Sequence, residues 1–489
     1  MNRSNDSADD RSTTAGSDFL HLDVAEAPPG GRADWLAERL RLAIADGRLP
    51  VGSRLPATRV LAEELRVSRG VVIEAYLRLG EDGHVTGRGR GGTVVVAAPV
   101  TAPAPEAPAA RGVSAPFATA PGAGVFDALR EAPARIDLSP GLPDLAAFPR
   151  TAWLRAERRA LADLSTSDFG YGDPRGTPAL RSAVADWLGR RRGIRVDPAE
   201  VVVVAGVAQG LDLLVRVLHD AGMREIAVED PGSLGIRQHL LYHGMATRPV
   251  AVDAGGLRVD ELRATGAATV MVTPAHQFPT GVVLDGERRR ELMRWAGEGG
   301  TIVEDDYDAE HRYDRPPVPA LRSMVAEHAF YVGSVSKLLA PALRLGWVLA
   351  PPPHRDPLVD AKRFADLGNA VLPQLVLAEL MRSGALERHL RLLRGRHRRR
   401  RDAMIDAVRT HLPGAVVHGA AAGLHLTLTF GDDVDDVALA AAALARGVKV
   451  QPLSWHAIRP HRPGLVLGYA ANPPTTLTEG VRLLATALE

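Results

Sequence analysis

The chain has 489 residues, of which 46% are hydrophobic and 24% charged, and its formal net charge is +1. This length predicts roughly three folding units with a large buried core. The absence of cysteine excludes disulfides and thiolate metal sites, and no metal centre is predicted. The small net charge excludes a global attraction to nucleic acid, so any such binding must come from a local patch. Because no run reaches the roughly 18 to 20 apolar residues of a membrane span, no membrane association is expected.

Two segments lack the periodicity of folded structure. Residues 1–30 are rich in Ser, Asp and Thr and contain no apolar signal core, which predicts a disordered tail and a cytoplasmic location. Residues 98–134 are rich in Ala, Pro and Gly, which predicts a linker. Two domains are therefore expected, over residues 31–97 and 135–489.

The first domain shows the pattern of three helices followed by a hairpin. Pro56 opens the second helix, and Ser68 is a good N-cap for the third. Apolar residues recur with helical spacing in the first and third helices, namely Leu36, Leu40, Ile44, Val72, Ala75, Tyr76 and Leu79. The hairpin over residues 84–96 carries arginines and glycines at its tip. This order predicts a winged helix-turn-helix.

A winged helix-turn-helix binds DNA when its third helix enters a major groove and its wing reaches the phosphates or the minor groove. The candidate contacts lie at the helix starts and on the wing: Arg59, Ser68, Arg69, Arg88, Arg90 and Gly91. A module used only for protein contacts is the alternative. The arginines on the wing favour a DNA duplex as the partner.

In the second domain, short β-branched runs alternate with helical patterns, which predicts a mostly parallel α/β sheet with helices on both faces. Lys337 follows one of these runs and is one of only three lysines, with Lys362 and Lys449. Only lysine can deprotonate and form an imine with an aldehyde, because arginine stays charged. We therefore predict a pyridoxal phosphate site, with Lys337 as the Schiff-base residue and the only lysine buried in this domain.

Such a site needs a carboxylate at the pyridine nitrogen, a donor to the phenolic oxygen and donors for the phosphate. Asp305 and Tyr307 follow a predicted buried strand, at the sheet edge where α/β proteins bind ligands. Asp305 is predicted to protonate the ring nitrogen and Tyr307 to bind the ring hydroxyl. The phosphate candidates are the side chains of Ser334, Ser336 and Arg344 and the amides of Ala208 and Gln209 at a helix start.

The motifs of both domains resemble known families. Ala45–Leu49, Gly52–Pro56, Val67–Arg69 and Glu74–Tyr76 resemble the DNA-binding domain of GntR-type regulators, and Ala75–Tyr76 resembles their MocR subfamily. From residue 136 onward, Tyr171–Gly176, Glu229–Gly232, His276–Gly281 and the Lys337 segment resemble fold-type I aminotransferases. The resemblance implies a large cofactor domain, a small carboxy-terminal α+β subdomain and a homodimer.

Three positions depart from that family pattern. Ser233 stands where family members usually have a tyrosine that stacks on the cofactor ring. Phe278 replaces the asparagine before Pro-Thr-Gly, which leaves His276 or Gln277 as the substitute in cofactor binding. Residues 464–469 lack the arginine that grips the substrate carboxylate in aminotransferases. Other arginines could replace it, and the candidates are Arg237, Arg459 and Arg462.

Eight arginines between residues 388 and 401 lie on a predicted helix. A second DNA-contacting surface is one interpretation. The other is a solvated or bridging helix that packs Leu390, Leu393, Met404 and Ile405 inward, and this second interpretation is favoured.

The combination predicts a DNA-binding transcriptional regulator whose aminotransferase-like domain holds pyridoxal phosphate on Lys337. In this hypothesis the domain senses the cofactor itself or an amine or amino-acid effector, and thereby changes how the dimer presents its winged domains to operator half-sites. An active aminotransferase carrying a DNA-binding domain is the main alternative, and the missing carboxylate arginine argues against it. A DNA-binding scaffold without cofactor is the third possibility.

Overall fold

The computed structural model describes residues 20, 22–87, 89, 92–97, 116–313 and 318–488. The chain divides into two compact units, Met1–Gly112 and Val113–Glu489. The predicted DNA contacts Arg88, Arg90 and Gly91 lie outside the described residues. So do most of the predicted tail and the first part of the predicted linker.

The first unit has the predicted three helices and hairpin. Its elements in chain order are α1 (Arg32–Ala45), α2 (Thr58–Glu64), α3 (Arg69–Glu81), β1 (Val85–Gly87) and β2 (Thr93–Val95). The two strands pair antiparallel, with Val85 opposite Val95 and Gly87 opposite Thr93. The predicted stripe residues of α1 and α3 are all buried in one core. The winged helix-turn-helix is confirmed.

Two details of this unit differ from expectation. Residues Val24–Glu26, inside the predicted tail, form a short 3-10 helix, and Leu22 packs against the core because it is apolar and adjacent to α1. Ser68 occupies the N-cap position of α3, but its side chain makes no capping hydrogen bond. Its hydroxyl is exposed at the start of the helix that is expected to enter the groove.

The second unit alternates helices and strands. Its helices are α4 (Val125–Glu131), α5 (Arg150–Asp163), α6 (Pro178–Arg192), α7 (Val207–Asp220), α8 (Leu234–Tyr242), α9 (Val259–Thr265), α10 (Gly286–Gly297), α11 (Arg355–Asp366), α12 (Val371–Arg382), α13 (Ala385–His411), α14 (Asp436–Ala445) and α15 (Pro474–Leu488). Its strands are β3 (Ile136–Asp137), β4 (Val202–Val204), β5 (Glu225–Asp230), β6 (Ala246–Asp253), β7 (Gly256–Leu257), β8 (Thr269–Val272), β9 (Thr301–Asp306), β10 (Ala329–Ser334), β11 (Gly346–Leu349), β12 (Val416–His418), β13 (His425–Thr429), β14 (Val448–Lys449), β15 (Gln451–Pro452) and β16 (Gly464–Gly468).

The large sheet has eight strands in the order β4-β11-β10-β9-β8-β5-β6-β7. Strands β10, β9, β8, β5 and β6 are parallel neighbours, whereas β11 is antiparallel to both β10 and β4. Phe330 and Val332 of β10 face one helical layer, and Tyr331 faces the other. Helices therefore cover both faces, as predicted, and the carboxyl ends of β9 and β10 lie side by side.

A second sheet, β12-β13-β16-β15, is antiparallel throughout and forms the small carboxy-terminal subdomain with α14 and α15. Helix α13 joins the two parts, because Leu390 and Leu393 pack in the core under the large sheet and Met404 packs in the core of the small one. Arg396 and Arg400 are paired with the buried Asp144. This packing agrees with the bridging interpretation of the arginine-rich helix.

The predicted linker, residues 98–134, is structured in its second half. Helix α4 lies there, and its residues Val125 and Leu129 are buried against Leu234 and Trp455. These two apolar residues are spaced i, i+4, so they lie on one face of the helix and cover apolar surface of the second unit. The second unit accordingly begins before residue 135.

Candidate functional site

A cavity of about 640 Å³ opens at the carboxyl ends of β9 and β10. It contains most of the predicted cofactor-binding residues, namely Ala208, Asp305, Tyr307, Ser334, Ser336, Lys337 and Arg344. Parallel strands deliver their carboxyl ends to one edge of the sheet, which is why residues more than a hundred positions apart meet here. Two predicted residues, His276 and Gln209, do not line it.

Lys337 lies in the turn after β10, and its Nζ donates a hydrogen bond to the carbonyl of Gly141. Gly141 has φ +80°, and a Cβ built on it would lie 3.1 Å from Nζ, so a side chain here would crowd the amine. Burial lowers the pKa of Lys337, while the carboxylates of Asp308 and Asp305 oppose that change. A lowered pKa increases the fraction of neutral amine, the form that attacks an aldehyde.

Two adjacent carboxylates at the end of β9 have different environments. Asp306 accepts a hydrogen bond from the Tyr331 hydroxyl at 2.5 Å and pairs with the buried guanidinium of Arg192. The side chain of Asp305 is on the cavity side, and its Oδ1 is buried without a hydrogen-bond partner among the described residues. Burial raises the pKa of Asp305 to about 7, helped by Asp306, Asp308 and Glu229. Asp306 is a structural residue, whereas Asp305 has an acceptor oxygen on the cavity side, and the charge of Lys337 opposes the rise in its pKa.

Tyr307 is supported from behind by a polar network. Nδ1 of His276 lies 3.1 Å from the Tyr307 hydroxyl and 2.8 Å from Oδ2 of Asp308. Burial, together with the nearby carboxylates Asp308 and Asp305, raises the pKa of Tyr307 far above its ordinary value. The hydroxyl therefore stays protonated and can donate into the cavity. His276 positions this tyrosine and does not itself face the cavity.

His276, Asp308 and His425 have potential metal-ligand atoms within 4.8 Å of one another. Within this group, Nδ1 of His276 faces Asp308 and also Tyr307, and Nε2 of His425 lies 3.0 Å from the Pro279 carbonyl oxygen. Nε2 of His276 is buried without a hydrogen-bond partner among the described residues. The contacts of Nδ1 hold the imidazole of His276 behind Tyr307.

The opposite end of the cavity is built for an anion. Helix α7 begins at Val207, and its first intrahelical bond runs from the Gly210 amide to the Gly206 carbonyl, so the preceding amides, including that of Ala208, have no partner within the helix. The guanidinium of Arg344 crosses this helix start and donates to the Ala205 carbonyl. A Cβ on Gly206 would lie 3.0 Å from this guanidinium. Helix amides, two serine hydroxyls and one arginine form a phosphate-type cradle.

Gln209 belongs to this helix start, but its side chain is used elsewhere. Its amide oxygen accepts hydrogen bonds from the Ala205 amide and from Nζ of Lys362, and its amide nitrogen donates to Asp366. Only the backbone amide of Gln209 is left for an anion.

Several cavity residues were not singled out by the sequence. Ser139 and Gly141 belong to the segment after β3, and Phe126 and Arg130 belong to α4. A Ser-Pro-Gly turn signal marks residues 139–141, whereas nothing local distinguishes Phe126 or Arg130. Ser233 also lines the cavity, and its hydroxyl caps α8 by accepting from the Ile236 amide.

The three arginines considered for a substrate carboxylate lie elsewhere. Arg237 is buried and donates to the backbone carbonyls of Gly232, Trp455 and His456. Arg459 pairs with Asp230 and Glu261, and Arg462 is largely exposed. None of them lines the cavity.

In the first unit, Arg59, Ser68 and Arg69 are exposed around the starts of α2 and α3. Nε of Arg69 donates to the Thr58 hydroxyl at 3.3 Å, which links the two helix starts. In helix-turn-helix proteins generally, base contacts are made from the start of the recognition helix.

Comparison with known proteins places both units. The model of bacterial regulatory proteins of the gntR family matches residues 32–95, and that of class I and II aminotransferases matches residues 134–481. The probable rhizopine catabolism regulatory protein MocR of Rhizobium meliloti is 33% identical, with 92% of each chain covered. The chain belongs to the MocR-type transcriptional regulators. In this family a GntR-type helix-turn-helix precedes an aminotransferase-like domain.

Two further relatives support the assignment. The pyridoxine biosynthesis regulator PdxR of Corynebacterium glutamicum is 32% identical over 90% of this chain and 92% of its own. The multiple substrate aminotransferase of Thermococcus profundus is 29% identical, covers 74% of this chain and 92% of its own, and superposes with a TM-score of 0.68. The second unit of this regulator thus has the fold of class I and II aminotransferases. Proteins of that class typically depend on pyridoxal phosphate. No helix in the described parts of the chain is long and apolar enough to cross a membrane.

Proposed function

We propose that this regulator binds pyridoxal phosphate covalently at Lys337 and uses its occupancy to control the binding of operator DNA. The observation that carries the proposal is the pairing, in one cavity, of a lysine amine with a lowered pKa and a buried, unpartnered carboxylate, Asp305. A pyridinium nitrogen would donate to the Asp305 oxygen that has no hydrogen-bond partner among the described residues, and an aldehyde would be the partner for the amine.

The other cavity residues have roles that follow from their positions. The hydroxyl of Tyr307 donates to the phenolic oxygen of the ring, and His276 holds that hydroxyl in place. The phosphate binds at the start of α7, to the amides of Ala208 and Gln209 and to the side chains of Ser334, Ser336 and Arg344. When bound, pyridoxal phosphate supplies an aldehyde carbon that reacts reversibly with amines.

The signal can be the cofactor itself or an amine or amino-acid effector. PdxR is named for pyridoxine biosynthesis and MocR for rhizopine catabolism, so the names of these relatives give one biosynthetic and one catabolic process. Either ligand shifts the regulator only as far as it binds one conformation better than the other.

The DNA partner is a double-stranded operator, contacted by Arg59, Ser68, Arg69, Arg88, Arg90 and Gly91. We further propose a homodimer, because a two-fold assembly places two winged domains on two half-sites. Exposed aromatics support a protein contact on the second unit, since Phe169, Tyr171 and Phe364 are 70%, 94% and 84% exposed. Multiple-turnover transamination is not favoured, because the relatives that match over the whole chain are named as regulators, and residues 464–469 lack the arginine that aminotransferases use there.

Lys337→Ala tests the proposal. Protein incubated with pyridoxal phosphate is reduced with borohydride, digested and examined by mass spectrometry. We expect one phosphopyridoxyl adduct, on the peptide that contains Lys337, and no visible absorption band in the variant. Lys362 and Lys449 are internal controls in the same digest. An adduct on either of them, or none at all, would overturn the assignment.

The regulatory half of the proposal is tested with DNA fragments selected from a random library by the wild-type protein. Their affinity for wild-type protein should change on addition of pyridoxal phosphate, whereas their affinity for the Lys337→Ala variant should not. Equal responses of the two proteins would show that cofactor attachment does not control DNA binding.

A further inference from the structure

Two arginines, Arg344 and Arg130, are found among the described residues that line the cavity. Arg344 is at the phosphate end, at the start of α7. Arg130 comes from α4, the helix that precedes the aminotransferase-like fold, and has no role in holding the cofactor as proposed above.

Helix α4 is held in place by contacts that leave the Arg130 side chain available. Val125 and Leu129 are buried against Leu234 and Trp455, and Phe126 makes an edge-on contact with Trp455 at a ring distance of 6.3 Å. The backbone carbonyl of Arg130 accepts a hydrogen bond from Nζ of Lys449 at 2.8 Å. The helix end is thus attached to the small subdomain through its backbone.

The Arg130 guanidinium has one partner among the described residues, Asp127, at 2.9 Å. Both side chains are exposed, 73% and 68%, so this i, i+3 pair is weak and exchangeable. An incoming carboxylate can replace Asp127 at little cost, and the planar guanidinium fork matches a carboxylate in two parallel hydrogen bonds.

The other nitrogen bases that face the cavity cannot do this. Burial lowers the pKa of both His425 and His456 to about 3, so both rings are neutral at physiological pH. Lys337 is the proposed site of cofactor attachment. Among the described residues that line the cavity, Arg130 is therefore the cation to which the proposed function assigns no other role.

We infer that Arg130 binds the carboxylate of an amino-acid effector whose amine reaches the cofactor at Lys337. This inference rests on the proposed function and narrows its effector to a molecule with an amine at one end and a carboxylate at the other. It gives to Arg130 the carboxylate-binding role for which residues 464–469 contain no arginine. A carboxylate held by Arg130 adds a contact that stabilises α4, which lies near the start of the second unit.

The experiment uses full-length protein loaded with pyridoxal phosphate and two probe series. One is glycine, β-alanine, 4-aminobutyrate and 5-aminopentanoate, and the other is the alkylamines of matched length. Binding is followed by the change in cofactor absorption. Arg130→Gln removes the charge, and Arg135→Gln is the matched control, because Arg135 pairs with Glu479 on the surface and does not line the cavity.

We expect wild-type protein to bind at least one amino acid more tightly than its matched amine. Arg130→Gln should weaken the binding of that amino acid by about tenfold or more, as expected for loss of a charged hydrogen bond. The affinity for the matched amine should change by less than about twofold. Hydrogen exchange should slow at residues 125–131 when the amino acid binds to wild type but not to Arg130→Gln.

Three outcomes would overturn the inference: no preference of wild type for any amino acid over its amine, equal losses in Arg130→Gln and Arg135→Gln, or unchanged hydrogen exchange of α4. Failure of the proposed cofactor attachment would be visible earlier, since the protein would then show no cofactor absorption after free pyridoxal phosphate has been removed.

Discussion

The substitution Asp305→Asn should separate the energetic cost of burying the Asp305 carboxyl group from its contribution to cofactor binding. In the cofactor-free protein, Asp305 is a buried carboxyl group with one oxygen unpartnered and with Asp306, Asp308 and Glu229 nearby. Asparagine keeps the shape and needs no ionisation. We expect the variant to be more stable than wild type without cofactor and to bind pyridoxal phosphate less well.

The magnitude follows from the pKa. A rise in the pKa of Asp305 from 3.8 in the unfolded chain to about 7 in the folded one means that the folded state binds the proton more tightly. The cost to the free energy of unfolding therefore grows as pH rises through this range and levels off above pH 7. At 1.36 kcal/mol for each pH unit, it amounts to about 2 kcal/mol at pH 5 and about 4 kcal/mol at pH 8. With cofactor, loss of the buried ion pair should cost about 3 kcal/mol, roughly a hundredfold in Kd.

Urea unfolding of cofactor-free protein at pH 5 and pH 8 measures the first effect, and titration with pyridoxal phosphate measures the second. Asp220→Asn, an exposed carboxylate on α7, is the control for a simple change of net charge. A variant no more stable than wild type at pH 8, or a gain equal at both pH values, would refute the assignment of Asp305 as an unpartnered acid.

Two further substitutions test the structural role of Asp306 and the DNA contact proposed for Arg69. Asp306→Asn should destabilise the second unit by about 3 to 5 kcal/mol in urea unfolding, because it leaves the guanidinium of Arg192 buried without its anion. A decrease in the free energy of unfolding smaller than about 1 kcal/mol would contradict the structural role assigned to Asp306. Arg69→Ala should weaken binding to selected DNA and reduce its salt dependence without changing cofactor uptake, whereas Arg48→Ala, whose side chain pairs with Asp46, should have little effect. Equal losses in both arginine variants would argue against a specific contact by α3.

The sequence predicts the centre of the site because strand ends carry its chemistry. Asp305 lies near the end of β9, Tyr307 follows that strand, and Lys337 follows β10, so the alternation of strands and helices is enough to bring them to one edge of a parallel sheet. It does not predict the direction of β11, which is antiparallel to both of its neighbours although its four residues read like those of the parallel strands of the sheet. Strand direction depends on the connection, and a short apolar run contains no information about it.

Helix α4 shows a second limit of sequence reasoning. Its seven residues lie in a segment dominated by Ala, Pro and Gly, and its buried face consists of Val125 and Leu129, too few to reveal a period. Its packing partners Leu234 and Trp455 are more than a hundred residues away. The same limit applies to Gln209, where a helix start correctly indicates free amides but the direction of the side chain is decided by Lys362 and Asp366.

The three lysines of the chain all have specific structural surroundings, and the sequence indicates this for Lys337 alone. We expected Lys337 to be the only buried amine of the second domain, and this was wrong: Lys362 and Lys449 are 0% and 6% exposed. Nζ of Lys362 donates to three side-chain oxygens, and Nζ of Lys449 donates to the Arg130 carbonyl. A compact ammonium can satisfy several converging oxygens, as Nζ of Lys362 does, and Nζ of Lys449 has Oδ2 of Asp137 at 3.9 Å besides its carbonyl partner. Lys337 differs from both in lining the cavity beside Asp305 and Tyr307, which is why it is the lysine that we propose to react with the aldehyde.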